Sequence, residues 1–141
     1  MKYVVMVSHG EFAPGLHSAV KMMTGERDDV FSTSLKDGMS TDTFVDNFKA
    51  IADKFNADDE VILLADILSG SPFTNALSVL DEKGLLSNTL VIAGMNMPCA
   101  LSAVLMKDQM DREALKDVLL NEGRTGLCEF VQTSNDDEDD I

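Results

Sequence analysis

The sequence predicts an α/β protein with a doubly wound, mostly parallel sheet flanked by helices. Short apolar runs of strand length alternate with apolar stripes at helical spacing, and the connections between them are short. This alternation is typical of a parallel sheet, because each crossover helix returns the chain to the same edge. We expect strand order 2-1-3-4, in which the winding reverses between the first and third strands. Ligands bind at such a reversal, beside the carboxyl ends of the strands.

The first strand is predicted by an apolar run from Tyr3 to Val7 that ends on Ser8-His9-Gly10. A valine-rich run bounded by glycine indicates a strand buried on both faces. His9 is therefore expected at the carboxyl edge of the sheet. From Phe12 to Met23 apolar residues recur at helical spacing, and Pro14 falls in the first turn, where its missing amide hydrogen is tolerated.

A second and a third strand follow in order. Val30 to Leu35 alternates apolar and polar residues, which predicts a short strand at an edge of the sheet. Ser40 or Thr41 is the expected N-cap of the next helix, which has an apolar stripe. Val61 to Ala65 is the strongest buried-strand signal in the chain, and it ends on Asp66.

Prolines mark two further helix starts. Ser71-Pro72-Phe73 predicts a helix with Ser71 as its N-cap. Asn88 to Ala93 predicts the fourth strand, and Pro98 lies near the start of the helix after it. A fifth helix is expected at about Arg112 to Asn121.

The C-terminal part is expected to contain a short strand and an acidic tail. Leu127 to Gln132 predicts a final strand, antiparallel to the others. Residues 135–141 include five acids and are expected to be disordered, as a solvated charge run. No linker or repeat divides the rest, so residues 1–134 are expected to form one domain.

The composition excludes several functions. A formal net charge of −14, with only 11 lysines and arginines, disfavours binding to nucleic acid or to an anionic membrane, because both need a basic face. No apolar run of membrane-spanning length and no signal peptide is found, so we expect a cytoplasmic protein without membrane insertion. Cys99 and Cys128 are too few for a disulfide framework or a zinc site. We expect both to be buried as small apolar residues, and no metal or cofactor to be bound.

The predicted topology would bring His9 and Asp66 together, because they end the first and third strands. A carboxylate beside an imidazole accepts the hydrogen of one ring nitrogen and leaves the other nitrogen free as a nucleophile. It also stabilises the positive charge that forms on attack. We therefore predict that His9 carries a phosphoryl group and that Asp66 is its partner.

The helix that begins at Ser71 would supply the site for the phosphoryl oxygens. Its unpaired amides and the positive end of its dipole suit an anion, and the Ser71 hydroxyl adds a donor. Because Pro72 lacks an amide hydrogen, the backbone donors would be Gly70, Ser71 and Phe73. No GxxxxGK[ST] loop is present, which disfavours direct use of ATP.

Three segments carry a family resemblance: VVMVSHGEFAPG, DILSGSPF and GMNMPC. In this order they resemble the IIA component of the mannose class (mannose, fructose, sorbose and N-acetylgalactosamine) of the bacterial sugar phosphotransferase system. The resemblance implies a phosphotransferase in which His9 accepts the group from phospho-HPr and passes it to a IIB component. Asp66 would be its partner, and Ser71 with the neighbouring amides would bind the phosphoryl group. It also implies a homodimer in which Leu127 to Gln132 pairs with the partner's sheet.

The sequence departs from this family at two loop positions. Ser69-Gly70 stands where the family often has two glycines, and Cys99 stands where it often has methionine. Neither change removes a reacting group, although the first can stiffen the phosphoryl-binding loop. Many relatives continue into a IIB domain, whereas this sequence stops after the IIA-like part. We therefore expect the IIB partner to be a separate protein that connects this chain to the membrane IIC/IID complex.

Five apolar residues fall in loops of the predicted crevice: Phe12, Leu68, Phe73, Met95 and Met97. Either they pack these loops, or they form a docking rim for HPr and IIB. The second interpretation is attractive because an acidic protein needs apolar contact to offset its repulsion of an anionic partner.

The sequence pattern is also compatible with three alternative functions. The phosphocarrier subunit of dihydroxyacetone kinases shares the IIA-like domain. Small tetrapyrrole metal chelatases also begin with a strand ending in His-Gly, but the other histidine here is His17, expected to be a partly exposed helical residue. A receiver-like domain phosphorylated on Asp66 would need an acidic pair where this chain has Ser8-His9-Gly10.

Overall fold

The computed structural model describes residues 1–133 of the protein, and it confirms the predicted α/β class. Strands and helices alternate along the described chain: β1 (Lys2–His9), α1 (Phe12–Thr24), β2 (Val30–Leu35), α2 (Thr41–Ala52), β3 (Glu60–Ala65), α3 (Ser71–Glu82), β4 (Thr89–Ala93), α4 (Met97–Met106) and α5 (Arg112–Thr125). Short 3₁₀ turns lie at Leu86–Asn88 and Lys107–Gln109.

The strands form one parallel sheet in the predicted order β2-β1-β3-β4. Val4 of β1 pairs with Val30 on one side and with Ile62 on the other, so β1 and β3 are the inner strands. The winding reverses between them, which opens a crevice at their carboxyl ends.

Each face of the sheet has its own hydrophobic core. Val4 and Met6 pack with residues of α1, α4 and α5 on one face. Val5 and Val7 pack with residues of α2 and α3 on the other face. Because successive strand residues point to opposite faces, burial of both faces explains the continuous apolar run of β1.

Side-chain caps define the starts of α2 and α4. Ser40, not Thr41, caps α2 by accepting a hydrogen bond from the Thr43 amide at 3.1 Å. Asn96 caps α4 in the same way, with the Cys99 amide 3.1 Å from its Oδ1. Such caps contribute about 1 kcal/mol each to helix stability.

The prediction that Ser71 caps α3 is wrong. Gly70 is the N-cap, with an extended backbone, and Ser71 is the first helical residue, followed by Pro72. Proline is tolerated throughout the first helical turn, because those amides have no intrahelical acceptor. A Ser-Pro pair therefore places the helix start only to within a residue.

The segment from Leu127 to Gln132, predicted as a final strand, lies outside the strands and helices of residues 1–133, and its pairing with the sheet of a partner stays a prediction. Helix α5 runs past its expected end at Asn121 to Thr125. A strand forms only where its backbone groups pair with a neighbour, and within residues 1–133 this segment pairs with none of the four strands. The predicted acidic tail, residues 135–141, lies outside the described residues.

A cluster of buried charges connects the amino-terminal ends of the strands to the turn after α4. The Nζ atom of Lys107, whose side chain is 1% exposed, lies 2.7 Å from Asp29 Oδ2. Arg27 Nε lies 2.9 Å from the other Asp29 oxygen. The hydrogen bond from Arg27, helped by Lys107 and opposed by burial, lowers the pKa of Asp29 to about 2. Lys2 Nζ donates to the Lys107 carbonyl at 2.9 Å.

The two cysteines differ in burial. Cys99 is buried as expected, but Cys128 is exposed, because it lies in the irregular segment after α5. Within residues 1–133, every helix is too short or too polar to traverse a lipid bilayer.

Candidate active site

The crevice places His9 and Asp66 side by side, as the topology predicted. His9 is the last residue of β1, and Asp66 directly follows β3. The two strands are parallel neighbours, with Val7 opposite Ala65. The Asp66 amide continues this pairing by donating to the Val7 carbonyl at 3.2 Å, so its side chain starts next to that of His9.

One carboxylate oxygen of Asp66 holds both the ring and the backbone of His9. Asp66 Oδ2 lies 2.8 Å from Nδ1 of the ring and 2.9 Å from the His9 amide nitrogen. Because a carboxylate oxygen accepts, Nδ1 carries the hydrogen and the lone pair of the neutral ring is on Nε2. The His9 side chain is 46% exposed, whereas that of Asp66 is 13% exposed.

These hydrogen bonds keep Asp66 ionised. Burial by itself would raise the pKa of the Asp66 carboxyl, but hydrogen bonds from the His9 amide, the His9 ring and the Ile67 amide together lower it. The Ile67 amide donates to the second oxygen, Oδ1, at 2.9 Å. The carboxylate is thus both charged and fixed in orientation at neutral pH.

Gly70 lies directly against the His9 ring. A Cβ atom added to Gly70 would lie 2.8 Å from His9 Cε1, which is closer than real contacts allow. The preceding residue, Ser69, has a φ angle of 67°, in the left-handed region that favours glycine. The departure from two glycines in this loop therefore falls on a position where the backbone is strained by about 1 kcal/mol.

The first turn of α3 leaves backbone donors beside this loop. The first helical hydrogen bond runs from the Thr74 amide to the Gly70 carbonyl at 2.9 Å. The amides of Ser71 and Phe73 precede it and have no acceptor within the helix, whereas Pro72 has no amide hydrogen. The helix terminus also carries roughly half a unit of positive charge. This geometry suits an anion.

Two polar residues of the site, Ser8 and Asn75, were not predicted from the sequence. Asn75 Nδ2 lies 2.9 Å from the Ser71 carbonyl and 3.1 Å from Ser71 Oγ. Buried Ser8 accepts the Ala13 amide at 2.6 Å and donates to the His9 carbonyl at 3.0 Å. The spacing of four residues between Ser71 and Asn75 on a helix could have indicated the first contact, but the contacts of Ser8 have no comparable sequence signal.

The structure separates the predicted docking residues into exposed and buried ones. Phe12 and Leu68 are 47% and 70% exposed, and Phe73 and Met97 are half-buried. Met95 is only 4% exposed, so its prediction as a docking residue is wrong. Its amide donates to the Ala65 carbonyl, and its side chain packs into the core under α4. Ile67, which directly precedes Leu68 and was not predicted as a docking residue, is 54% exposed.

His17 lies away from the crevice contacts. It is half-buried, and its Nδ1 is 2.7 Å from Ser32 Oγ in the middle of β2. Burial, together with nearby Lys21, lowers the pKa of His17. Among residues 1–133, no three histidine, cysteine or acidic side chains come together as a metal-binding group.

Comparison with known proteins gives consistent matches over most of the chain. The profile of a family described as PTS system fructose IIA component matches residues 3–120. The PTS fructose-specific EIIA component of Bacillus subtilis (strain 168) is 26% identical over 118 residues, which cover 84% of this chain and 77% of that protein. The PTS mannose-specific EIIAB component of Escherichia coli (strain K12) is 26% identical over 125 residues, covering 88% of this chain and 38% of that protein.

Solved structures show the same fold. A PTS IIA protein associated with the fucose utilization operon of Streptococcus pneumoniae superposes with a TM-score of 0.77 at 27% identity, covering 91% of this chain and 92% of that one. A mannose/sorbose-specific IIA subunit from Enterococcus faecalis superposes with a TM-score of 0.69 at 20% identity, covering 96% and 99%. Because the profile match spans most of the sequence, this chain belongs to the family of fructose/mannose-type IIA components of the sugar phosphotransferase system.

Proposed function

We propose that this protein accepts a phosphoryl group from phospho-HPr on Nε2 of His9 and passes it to a IIB component for sugar uptake and phosphorylation. One observation carries the proposal. The Nδ1 atom of His9 is bound to Asp66 at 2.8 Å, which leaves the lone pair on Nε2 of a side chain that is 46% exposed to solvent and to an incoming partner. The proposed partners place this step in the cytoplasm.

The proposed transfer consists of two displacement steps at the phosphorus atom. The Nε2 lone pair attacks the phosphorus atom, an N–P bond forms, and the bond from phosphorus to the donor breaks with its electron pair staying on the donor. Asp66 stabilises the positive charge that develops on the ring through the bonded Nδ1–H. In the second step a nucleophile on IIB attacks the phosphorus, and the electron pair of the N–P bond returns to Nε2.

The phosphoryl oxygens would bind at the start of α3. Phosphoryl transfer depends mainly on positioning and on stabilising charge on these oxygens. The amides of Gly70, Ser71 and Phe73 and the Ser71 hydroxyl would supply donors without a basic side chain. This arrangement fits a protein whose formal net charge is −14.

Docking of HPr and IIB would use the exposed apolar residues around His9. Phe12 at the start of α1 and Leu68 in the loop after β3 are exposed, and half-buried Phe73 and Met97 would complete the docking rim. Apolar contact of this kind offsets repulsion between acidic partners.

We also propose that the protein is a homodimer through its segment from Leu127 to Gln132. Leu127 and Phe130 are 85% and 87% exposed, which is unusual for large apolar side chains in a monomer. Strand β4 is at the edge of the sheet and has one side available for pairing with a strand of a partner.

Intact mass spectrometry tests the phosphoryl transfer. Incubation with phosphoenolpyruvate, enzyme I and HPr is expected to add the mass of one phosphoryl group to the wild type and to His17→Ala, but not to His9→Ala. The matched histidine variant controls for a general effect of losing an imidazole. An unlabelled wild type contradicts the function, and a labelled His9→Ala contradicts the site.

A further inference from the structure

The hydroxyl of Ser71 has one neighbour that controls its direction. Ser71 is the first residue of α3, and Asn75 lies one turn later on the same helix. Asn75 Nδ2 approaches both the carbonyl oxygen and the hydroxyl oxygen of Ser71, at 2.9 and 3.1 Å. Both side chains are half-buried, so these contacts are partly shielded from water.

The chemistry of these atoms determines which group donates. A carbonyl oxygen can only accept, so the NH₂ end of Asn75 must face Ser71. The same NH₂ group has no accepting lone pair, and it therefore donates to Ser71 Oγ as well. The hydrogen of the Ser71 hydroxyl consequently points away from Asn75. Within residues 1–133 the structure gives this hydrogen no acceptor.

Ser71 is the first residue of α3, so its hydroxyl has no preceding helical turn whose carbonyl would accept its hydrogen. The direction of this hydroxyl therefore depends on its side-chain neighbours, and a hydroxyl that presented its lone pairs to the phosphoryl oxygens would give them no donor. Phosphoryl oxygens are acceptors, so they gain only from donors. A group that occupies a lone pair of Ser71 Oγ thus favours the productive direction of the hydroxyl.

We propose that Asn75 is a positioning residue that commits the Ser71 hydroxyl to donating a hydrogen bond to the phosphoryl group transferred through His9. This inference rests on the proposed function. Within residues 1–133 the side-chain hydrogen bonds of Asn75 go to Ser71 and not to His9, so Asn75 would act through Ser71. Its effect must therefore disappear when the Ser71 hydroxyl is absent.

A double-mutant cycle tests this dependence. Asn75→Leu keeps the approximate size of the side chain but removes the donor, and Ser71→Ala removes the hydroxyl. Because a hydrogen bond to a charged group contributes about tenfold or more in affinity, we expect Asn75→Leu to slow single-turnover transfer from phospho-HPr by about 3- to 10-fold. In the Ser71→Ala background the same change should alter the rate by less than about twofold.

Two additional variants sharpen the test. Asn75→Asp replaces a donor with an acceptor, so it should capture the Ser71 hydrogen and slow transfer more than Asn75→Leu does, and it serves as the second variant if Asn75→Leu folds poorly. Asn47→Leu, at an exposed position of α2, controls for adding an apolar side chain to a helix surface.

The outcomes separate this inference from the proposed function. An unlabelled wild type rejects the proposed function, and the inference with it. A labelled wild type, with equal effects of Asn75→Leu in the presence and absence of the Ser71 hydroxyl, rejects the inference alone, because Asn75 then acts independently of Ser71. Loss of the effect in the Ser71→Ala background supports it.

Discussion

The chemistry proposed for this protein depends on a single oxygen atom. Asp66 Oδ2 accepts hydrogen bonds from both the ring and the backbone amide of His9, so the same contact selects the ring tautomer and limits ring rotation. Gly70 lies against Cε1 of the same ring and leaves no space for a side chain there. The exposed ring is thus constrained on two sides, and Nε2 is the nitrogen left to a partner.

Asp66→Asn is expected to slow phosphoryl transfer to His9 by on the order of 100-fold. The amide keeps the shape of the carboxylate but loses the negative charge that stabilises the forming cation. Rapid-quench measurement of transfer from phospho-HPr gives the rate. Asp58→Asn makes the same charge change at an exposed position before β3 and should transfer at the wild-type rate. Equal rates for both variants would show that Asp66 has no part in the reaction.

At the scale of elements, a single hydroxyl joins β1 to α1. Ser8 Oγ accepts the Ala13 amide in the first turn of α1, which has no side-chain cap of its own, and donates to the carbonyl of His9. Residue Ser34, opposite Ser8 in β2, is equally buried, but its hydroxyl has no hydrogen-bond partner in the described chain. Ser8 and Ser34 are thus similar in burial but differ in whether the hydroxyl is hydrogen-bonded, so Ser34 serves as a control for Ser8.

Ser8→Val is expected to lower the free energy of unfolding by about 1 kcal/mol more than Ser8→Thr. Valine and threonine have nearly the same volume and branching, so the difference reports the hydroxyl alone. Urea unfolding at neutral pH gives both values. Ser34→Ala removes a hydroxyl without a partner and should cost less than Ser8→Ala. If Ser8→Val and Ser8→Thr unfold at the same urea concentration, the hydroxyl does not stabilise the junction.

At the scale of the whole molecule, the carboxyl and amino ends of the strands have different roles. The carboxyl ends hold the exposed candidate site, and the amino ends are joined by Asp29, Arg27 and buried Lys107. Removing one partner of a buried ion pair is costly, because the other charge stays in a medium of low polarity. This end of the sheet therefore contributes to stability and is distant in the fold from the proposed chemistry.

The Asp29 cluster predicts a specific loss of stability in acid. The pKa of Asp29 is about 2 in the folded chain and 3.8 as its ordinary value. Because the folded pKa is the lower one, the contribution is complete above about pH 4 and is lost as the pH falls toward 2. It amounts to about 2 kcal/mol. Asp29→Asn should cost about 3 kcal/mol at pH 7.

Urea unfolding of both proteins between pH 7 and pH 2.5 measures this effect. Other carboxylates titrate in the same range, so the difference between wild type and Asp29→Asn isolates the contribution of Asp29. That difference should shrink below pH 4. A difference that stays constant with pH would mean that Asp29 has the same affinity for protons in the folded and unfolded chains.

Several predictions failed where the outcome depended on neighbours rather than on local pattern. Met95 was expected at the docking rim, but its amide continues the pairing of β3 and β4 and its side chain is drawn into the core. Ser71 was expected to cap α3, but Gly70 does so while packing against His9. The segment from Leu127 to Gln132 is a different case, because it pairs with no strand of residues 1–133 and its predicted pairing lies across a dimer.

The order of residue types along the chain was enough to predict the alternation of strands and helices, the order of the sheet and the candidates His9 and Asp66. Apolar periodicity reports which residues must be buried, and parallel strands bring their ends to one edge. The folded chain was needed to show that the His9 ring is held through Nδ1, and that Ser8 and Asn75 form hydrogen bonds beside the site. The physical reason is that hydrogen bonds form between atoms within about 3 Å, and for residues 57 positions apart that distance is set by the packing of the whole sheet.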